Sequence, residues 1–530
     1  MQSEMFDEAD RAQLAELGIT EEEVQRQVRI FAAPPPAVVL DRPCTLGDGI
    51  VGLDEGQRQQ AVHAHERAAA AGRLLKFLPA SGAATRMFQA LLAVRGGEAA
   101  FDRAALQRRA AAGEAEAREA LVFDEQLHNF PFVEALAAAC ARRGEDLEVL
   151  YRRGAVGEIL AALLEPDGLD YAALPKGLLP FHRYPDGSRT AFEEHLIEGA
   201  TYAGSADTAR LHLTVSPEHD SAFRAELARR RPAVEQRCGK RFAVDFSHQA
   251  AATDTLAVDL DNHPFRTADG RLLFRPGGHG ALIENLHALR GDIVFLKTID
   301  NIQPEHLRAT TLEWLRILTG YLVAIQGELF AHLERLDKPD ASPPMLAAAR
   351  RFASEVLGAG VPDEAGRAGI IAALDRPLRV CGMVRNTGEP GGGPFWVRGA
   401  DGHSSRQIVE AAQIDAADSA QRAVFAAATH FNPVFIACGV RDWRGRPFDL
   451  HAFIDHAAVF IARKSKDGRA LRALEHPGLW NGAMAGWHTL FVELPDATFT
   501  PVKTINDLLR PAHQPPAARA EVSAGASGRR

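Results

Sequence analysis

The apolar and polar positions near the start of the chain predict helices. A first helix is expected to end near Gly18, and Thr20 with Glu23 forms a capping-box pattern that opens a second helix. A later helix, through GQRQQAVHAHERAAAAG, is expected to stop at Gly72. We therefore assign residues 1–72 to an N-terminal helical segment.

Beyond residue 72, short apolar runs of strand length alternate with turn signals and helices. The run RLLKFLPAS is the first, and similar runs recur between Lys176 and Asn301 and again after Asp375. Two stretches, about 97–165 and 304–375, have helical periodicity instead and are predicted to be helical insertions. The alternation predicts an α/β sheet.

Composition narrows the kind of protein. The chain has 530 residues, with 60 Lys and Arg against 69 Asp and Glu, a formal net charge of −9. This balance argues against general binding to nucleic acid or to an anionic membrane. The five cysteines lack CxxC spacing, which favours reduced thiols over disulfides or a zinc knuckle. The polar N-terminus and the lack of any apolar stretch of membrane-spanning length predict a cytoplasmic protein.

The first strand runs into a loop of very small residues, within FLPASGAATRMF, and a cation follows it. Small residues let a ligand approach the backbone, and the start of the next helix would add unpaired N–H groups. Arg86 suggests that the ligand is an anion, with phosphate the first candidate. The loop is neither a Walker loop nor a dinucleotide fingerprint, and an ordinary strand-to-helix turn is the alternative.

Four other positions could carry chemistry, and each has a plainer interpretation. Lys176 stands at a turn, where most lysines are only solvated. The glycines of RPGGHGALIENLHAL allow a base or phosphate to approach, or they form a turn before a helix. Asp300 follows an apolar strand, where a carboxylate suits Mg²⁺, although it could simply cap a turn. Lys503 ends a strand-like run and could be surface charge.

Taken in order, these segments resemble the motifs of the UDP-sugar pyrophosphorylases, the UDP-glucose and UDP-N-acetylglucosamine pyrophosphorylase family. ASGAATRM is similar to the family's AGGxGTRL loop, and Pro175 to Gly177 match its PKG. DFSHQ is similar to a phenylalanine-glutamine segment, PGGHGALI to PDGNGGLY, and Ile299 to Asn301 to VDN. IVEAAQ is similar to VVEYSE, and PVKTINDLL to PVK followed by a DLL run. The overall pattern looks most like a bacterial domain-of-unknown-function family related to these enzymes.

The resemblance implies a nucleotide-diphospho-sugar transferase (GT-A-like) fold over residues 73–510, a mixed sheet flanked by helices. The tail, residues 511–530, is rich in Ala, Pro, Ser and Gly and is predicted to be disordered. The implied reaction is attack of a sugar 1-phosphate on the α-phosphorus of a nucleoside triphosphate, UTP in the family, with release of pyrophosphate.

The resemblance also implies roles for individual residues. Arg86 and Lys176 would neutralise the triphosphate, Lys503 would meet the sugar phosphate, and Asp300 would bind Mg²⁺. The implied nucleotide-binding residues are Ala80, Ser81, Gly82, Ala83, Ala84, Thr85, Gln249, Gly277, Gly278 and Gly280. The expected partners are a nucleoside triphosphate and a sugar phosphate, with no nucleic acid and no membrane.

This chain departs from the family pattern in three places. Ser81, Ala83 and Ala84 add side-chain atoms to the loop, a helical insertion separates Arg86 from Lys176, and His279 replaces an asparagine of the family. A second hypothesis is therefore a non-catalytic protein that senses a nucleotide sugar or sugar phosphate. Together, the retained cations and Asp300 favour the enzyme.

Overall fold

The computed structural model describes residues 6–96, 102–362, 364–388, 391–399 and 402–516. Its helices, in chain order, are α1 Glu8–Leu17, α2 Glu21–Ala32, α3 Glu55–Ala70, α4 Gln89–Arg95, α5 Arg103–Ala111, α6 Ala115–Glu125, α7 Val133–Arg142, α8 Leu147–Arg153, α9 Val156–Leu164, α10 Ala191–Tyr202, α11 Asp220–Cys238, α12 Leu282–Ala288, α13 Ala309–Asp337, α14 Pro343–Arg351, α15 Arg367–Leu374 and α16 Ser419–Ala426. In the described ranges, no helix has the length and apolar character needed to cross a membrane.

The strands are shorter than most of the helices. They are β1 Leu40–Pro43, β2 Thr45–Leu46, β3 Gly49–Val51, β4 Leu74–Pro79, β5 Pro180–Tyr184, β6 Gly187–Thr190, β7 Thr208–Thr214, β8 Arg241–Ser247, β9 Thr255–Val258, β10 Phe274–Arg275, β11 Ile293–Leu296, β12 Leu378–Arg385, β13 Gly393–Arg398, β14 Ser404–Val409, β15 His430–Phe431, β16 Ile436–Gly439, β17 Phe460–Lys466, β18 Arg469–Glu475 and β19 His488–Glu493.

The N-terminal helices form as predicted, with one difference in capping. Gly18 ends α1 in the left-handed conformation, φ 71°, which favours glycine. The Thr20 side chain accepts the Glu23 N–H at 3.1 Å. Glu23 does not complete a capping box at Thr20; its carboxylate pairs with Arg26 at 2.7 Å. A better-placed arginine one turn later explains why only half of the box forms.

The chain divides into two compact units, each made of three segments. Unit 1 contains Met1–Gly82, Leu196–Ile299 and Thr310–Phe499. Unit 2 contains Ala83–His195, Asp300–Ala309 and Thr500–Arg530. The boundaries that we predicted from the sequence, at residues 72 and 510, stay predictions.

Unit 1 is built on a mixed sheet in the order β2-β3-β19-β12-β16-β11-β4-β7-β8, with β15 paired to β12. Strand β16 runs antiparallel to both neighbours, β11 and β12, whereas β11, β4, β7 and β8 pair in parallel. The central strands are buried on both faces, as expected for parallel strands covered by helices. The predicted mixed α/β sheet is confirmed.

Helices cover both faces of this sheet. On one face, Leu74 and Phe295 pack in a cluster with α3 and α13; on the other, Leu75 and Val294 pack with α12. Gly320 of α13 shows how closely α3 and α13 approach, since a Cβ there would lie 1.7 Å from the Ala61 carbonyl oxygen. Only glycine fits at this crossing.

Unit 2 has a helical core. Helices α4 to α9 bury one cluster of apolar side chains, which also includes Ile302, Val502 and Leu508 from the two later segments. Strands β5 and β6 form a hairpin beside it. In the predicted tail, Pro511–His513 forms a 3₁₀ turn in which His513 is buried, and residues 517–530 lie outside the described residues.

Candidate functional site

Unit 2 brings the second half of the small-residue loop against the segment of Lys176. The Ala84 N–H donates to the Leu174 carbonyl at 2.8 Å, and Ala83 forms an antiparallel bridge with Pro175. The Thr85 hydroxyl donates to the Ala172 carbonyl at 3.1 Å. The long helical stretch between them in the sequence therefore leaves the loop and the lysine turn side by side.

The same unit joins the Asp300 and Lys503 segments. The Val502 N–H donates to the Asp300 carbonyl at 3.0 Å, and the Thr500 N–H donates to Asn301 Oδ1 at 3.1 Å. The Ile505 N–H donates to the Met87 carbonyl at 3.0 Å, which links this pair of segments to the loop.

Two lysines converge on one carboxylate oxygen. Lys176 Nζ lies 3.0 Å from Asp300 Oδ2, and Lys503 Nζ lies 3.2 Å from the same oxygen. Lys176 also donates to the Val502 carbonyl at 2.8 Å and is mostly buried, whereas the Lys503 side chain is 56% exposed. We call Lys176, Asp300 and Lys503 the lysine–aspartate cluster.

Local structure holds Lys503 in place. The Asp507 side chain accepts the N–H groups of Lys503 and Thr504, both at 2.7 Å, and so caps the 3₁₀ turn Ile505–Leu509. Arg510 pairs with Asp507 at 2.8 Å. The backbone at Lys503 is therefore fixed while its ammonium reaches outward.

Arg86 adds a third cation beside the loop. It is exposed, and the part of the chain that the structure describes gives it no hydrogen bond or ion pair. Lys176 and Lys503 share one carboxylate, and Arg86 follows the adjoining loop, so the cations of these segments outnumber the carboxylate. Such a surplus suits a polyanionic ligand such as a phosphate ester.

One expectation about the loop was wrong. Ala84–Arg86 forms a 3₁₀ turn, and α4 begins only at Gln89. The Met87 carbonyl accepts from Ile505, so an α-helix does not start there. The loop therefore lacks the helix N-terminus that the sequence suggested, and its affinity for an anion would depend on Arg86 and on the small side chains.

Gly82 is the loop residue whose size the protein's own packing does not explain. A Cβ at Gly82 would meet nothing within 4 Å, and its φ is not in the left-handed region. Open space in front of an exposed glycine is compatible with a ligand lying against the backbone.

The glycines of the second predicted segment have a different explanation. In unit 1, a Cβ at Gly277 would lie 2.4 Å from His476 Cδ2, and one at Gly280 would lie 2.3 Å from the Pro477 carbonyl oxygen. Gly278 has φ 75° and faces Glu475. The close approach that these glycines permit is to residues 475–477 of the chain itself.

His279 is likewise engaged within unit 1. Its ring stacks on Trp480 with centroids 4.1 Å apart, and its Nδ1 accepts the Leu479 N–H at 3.0 Å. Burial lowers the pKa of His279 to about 4, so the imidazole is neutral at pH 7. His279 Nε2 lies 4.0 Å from the carboxylate of Glu410. Burial raises the pKa of Glu410.

Gln249 follows β8 and is half-buried. Close by in the sequence, the Ser247 hydroxyl lies 2.7 Å from His212 Nε2 and accepts the Asn285 amide at 2.8 Å. These bonds connect the end of β8 to β7 and to α12. The structure thus places Gln249 and the glycine segment in unit 1, and Arg86, Lys176, Asp300 and Lys503 in unit 2.

Sequence reasoning missed two buried polar networks. In unit 1, Glu198 of α10 pairs with Lys76 at 2.8 Å and also with Lys297, all three nearly fully buried. Both lysines stand in apolar strand-like runs, LLKFLP and VFLKT. A cation inside such a run is costly to bury unless it is paired, and that was the available signal.

The second missed network lies in unit 2. His182 Nδ1 lies 2.9 Å from Glu194, His182 Nε2 lies 3.0 Å from His513 Nδ1, and Arg308 pairs with Glu194. Burial opposes ionisation of Glu194, yet its bonds from His182 and the charge of Arg308 lower its pKa to about 2. Burial lowers the pKa of His513 to about 3. This network ties His513 to β5 through His182 and, through Glu194, to α10.

The residues around Asp300 fit one kind of Mg²⁺ site. Mg²⁺ is usually held by one or two carboxylates together with substrate phosphates and water. Asp300 supplies one carboxylate, and the described residues provide no group of three ligating side chains around it. The cluster therefore fits an ion shared with a bound phosphate, since the lysines would then have phosphate oxygens to pair with.

The fold and the cluster define a mixed α/β protein with a basic, phosphate-compatible site. Residues 7–514 match the family model described as "Domain of unknown function (DUF4301)", and the chain belongs to this family. The prediction of a domain-of-unknown-function family is confirmed. No curated protein matches the sequence.

Solved structures similar to this chain include a variant UDP-glucose pyrophosphorylase from Leishmania major in complex with UDP-glucose, at 14% identity and a TM-score of 0.43, covering 94% of this chain and 77% of that one. They also include the uridine diphosphate N-acetylglucosamine pyrophosphorylase from Trypanosoma brucei in complex with an inhibitor, at 14% identity, a TM-score of 0.45, and coverage of 95% and 79%. A UDP-glucose phosphorylase from Trypanosoma brucei has 13% identity, a TM-score of 0.44, and coverage of 94% and 77%.

Proposed function

We propose that this protein is a sugar-1-phosphate nucleotidyltransferase that transfers a nucleoside monophosphate, UMP from UTP, to a sugar 1-phosphate. The observation that carries the proposal is the convergence of Lys176 and Lys503 on one oxygen of Asp300, beside a small-residue loop. The order of the motifs along the sequence supports the choice of reaction. The protein is proposed to act in the cytoplasm.

The reaction needs positioned charge rather than a covalent catalyst. A phosphate oxygen of the sugar 1-phosphate attacks the α-phosphorus of UTP, the bond from that phosphorus to the β-phosphate oxygen breaks, and pyrophosphate leaves. Negative charge is concentrated on the reacting phosphates throughout. In phosphoryl transfer, catalysis comes mainly from in-line positioning and from cations placed against this charge.

The lysine–aspartate cluster supplies cations that are held in fixed positions. Lys176, held by the Val502 carbonyl and by Asp300, is a fixed cation for the triphosphate. Lys503 is more exposed and is proposed to pair with the sugar phosphate. In the absence of substrate, Asp300 would hold both ammonium groups in place, so the two cations are already positioned before the substrates bind.

The loop and the metal complete the proposed site. Ala80 to Thr85 would lie against the triphosphate, with Arg86 neutralising its charge. Asp300 is the residue that would hold Mg²⁺; when bound, the ion would supply further neutralisation of phosphate charge. On the sequence resemblance, Gln249, Gly277, Gly278 and Gly280 are proposed to bind the nucleoside.

The test is pyrophosphate release from a panel of nucleoside triphosphates and sugar 1-phosphates, with and without Mg²⁺. We expect release that needs both substrates and the metal, with UTP as the preferred nucleotide. Absence of turnover across the panel, together with thermal stabilisation by a nucleotide sugar, would instead favour the sensor and overturn the enzyme.

A further inference from the structure

A group of metal-ligating side chains lies in unit 1 and is made of residues that have no role in the proposed reaction. One ligand atom each from His287, Asp449 and His451 lie within 4.8 Å of one another. No other such group of three is found among the residues that the structure describes. The rings of His287 and His451 have centroids 4.7 Å apart.

Two short elements bring these side chains together. Glu284 and His287 are three residues apart on α12 and therefore share a face of that helix. Asp449 caps the 3₁₀ turn Leu450–Phe453, and its side chain accepts the His451 N–H at 3.2 Å. The Leu450 N–H contacts His287 Nδ1 at 3.4 Å, which is long for a hydrogen bond and competes weakly for that nitrogen.

His451 has the surroundings of a metal ligand. Its Nδ1 lies 2.9 Å from Asp449 Oδ1, while its Nε2 lies 2.8 Å from Glu284 Oε1. Histidines that bind metals commonly donate their other ring N–H to a carboxylate, which fixes the tautomer and strengthens the ligand. Glu284 is placed to be that acceptor.

We infer that His287, Asp449 and His451 form a binding site for a divalent transition-metal ion, with Glu284 orienting His451. Two imidazoles and one carboxylate favour an ion such as Zn²⁺ over Mg²⁺, which prefers oxygen ligands. Zinc bonds of roughly 2.0–2.2 Å require the ligand atoms to move closer by a side-chain adjustment. Asp449 is exposed and both histidines are half-buried, so such an adjustment is available.

An ion could reach the group from solvent because Asp449 is exposed. A cavity of about 200 Å³ lies beside the group and is lined by His451 and Glu284, but by neither His287 nor Asp449. A bound ion would join α12, the helix that follows the glycine segment, to the turn at residue 450. The metal would therefore stabilise this part of unit 1.

The experiment uses the full chain, treated with a chelator, kept reduced and titrated with Zn²⁺ alone by calorimetry, with Mg²⁺ alone as the comparison. We expect one Zn²⁺ site per chain and a rise in melting temperature on Zn²⁺ addition. His287→Gln and His451→Gln should weaken Zn²⁺ binding at least ten-fold, and Glu284→Gln by roughly ten- to a hundred-fold. His263→Gln, at an exposed histidine outside the group, is the matched control.

The competing account is a protonated His451 held between two carboxylates. In that case Zn²⁺ would either not bind at all or bind wild type and Asp449→Asn equally well. His451→Gln would still lower the melting temperature, because the ion pairs of His451 would be lost. Either result would overturn the metal site. Because Asp449 is exposed, its variant is expected to fold even if the histidine variants do not.

Discussion

The Nζ of Lys503 lies 3.2 Å from Oδ2 of Asp300, although 203 residues separate them along the chain. Lys176, 124 residues before Asp300, reaches the same oxygen. A carboxylate shared by two lysines holds the two cations close together before any ligand binds.

Substitution of either lysine should lower activity, but only the Lys176 variant should also lose stability. Lys503→Gln should lower kcat/KM by roughly two to three powers of ten, by analogy with loss of one preorganised charge-stabilising contact. The free energy of unfolding of this variant should change by less than about 0.5 kcal/mol, because the Lys503 side chain is mostly exposed.

Lys176→Gln should lose a similar amount of activity. It should also lose about 1 kcal/mol of unfolding free energy, because the hydrogen bond from Lys176 to the Val502 carbonyl is lost. Steady-state kinetics and urea unfolding of both variants measure this. Full activity in Lys503→Gln would remove that residue from the site.

Asp300→Asn should affect both the two lysines and the proposed Mg²⁺ site, because the same carboxylate serves both. The amide keeps the size of the side chain but removes the charge that orders both ammonium groups, so activity should fall. Lys503 and Asp300 interact directly, so their effects should not add. The loss of transition-state stabilisation, calculated from kcat/KM, should be smaller in the double variant Asp300→Asn/Lys503→Gln than the sum of the losses in the two single variants. Asp340→Asn, at an exposed carboxylate, is the control. Strict additivity would mean that the two residues act independently.

Arg86→Gln should reduce activity without affecting the fold. The residue is exposed and has no ion pair within the described ranges, so its substitution should leave the melting temperature unchanged. The expected loss in kcat/KM is again roughly two to three powers of ten. Arg463→Gln, at another exposed arginine, should match wild type in both assays. A drop in stability without loss of activity would assign Arg86 a structural role.

Two glycine substitutions should affect different properties, one the binding of substrate and the other the stability of the fold. Gly82→Ala places a Cβ in open space and should leave stability unchanged while raising the KM for the triphosphate. Gly320→Ala places a Cβ 1.7 Å from the Ala61 carbonyl and should destabilise unit 1 by 1–3 kcal/mol, about the usual cost of overpacking. Thermal unfolding and substrate titration distinguish the two. An unchanged KM in Gly82→Ala would argue against a ligand at the loop backbone.

Stability should fall on acidification from neutral pH. Burial lowers the pKa of His279 and His488 to about 4 and of His513 to about 3, from an ordinary value of 6.5. These imidazoles stay neutral in the folded protein but take up protons in the unfolded chain below pH 6.5. The unfolding free energy should therefore decrease from pH 6.5 towards pH 4, by roughly 1.4 kcal/mol per pH unit for each group.

Urea unfolding at several pH values measures this slope. His513→Asn removes one of the three groups and should make the slope shallower by about one proton, whereas His263→Asn should not change it. The lowered pKa of Glu194, about 2, adds a further loss of stability below its ordinary value of 4.5. Identical slopes in wild type and His513→Asn would contradict the buried, neutral state of His513.

Local signals carried much of the fold prediction. Strand β4 is a mostly apolar run, Gly18 ends α1, and the apolar run before Asp300 is β11, as the patterns predict. Each of these features depends on residues close together in the sequence. The capping difference at Glu23 and the late start of α4 arise from partners, Arg26 and Ile505, that periodicity does not reveal.

Long-range features were less accessible. Nothing in the spacing of Lys176, Asp300 and Lys503 shows that they meet at one oxygen, and only their resemblance to ordered family motifs suggested a common site. Lys76 and Lys297 interrupt apolar runs, and the sequence does not reveal that their partner, Glu198, lies on a helix far along the chain. The close packing of Gly277 and Gly280 against residues 475–477 was hidden for the same reason.

The most direct test of the central claim follows the α-phosphorus of UTP. The protein would be incubated with Mg²⁺, a sugar 1-phosphate and UTP labelled at the α-phosphate, and the products separated by chromatography. The account predicts that the label appears in a nucleotide sugar while unlabelled pyrophosphate accumulates in equal amount, and that Asp300→Asn greatly slows both. Label that stays in UTP with every sugar 1-phosphate offered, although UTP binds, would contradict the account.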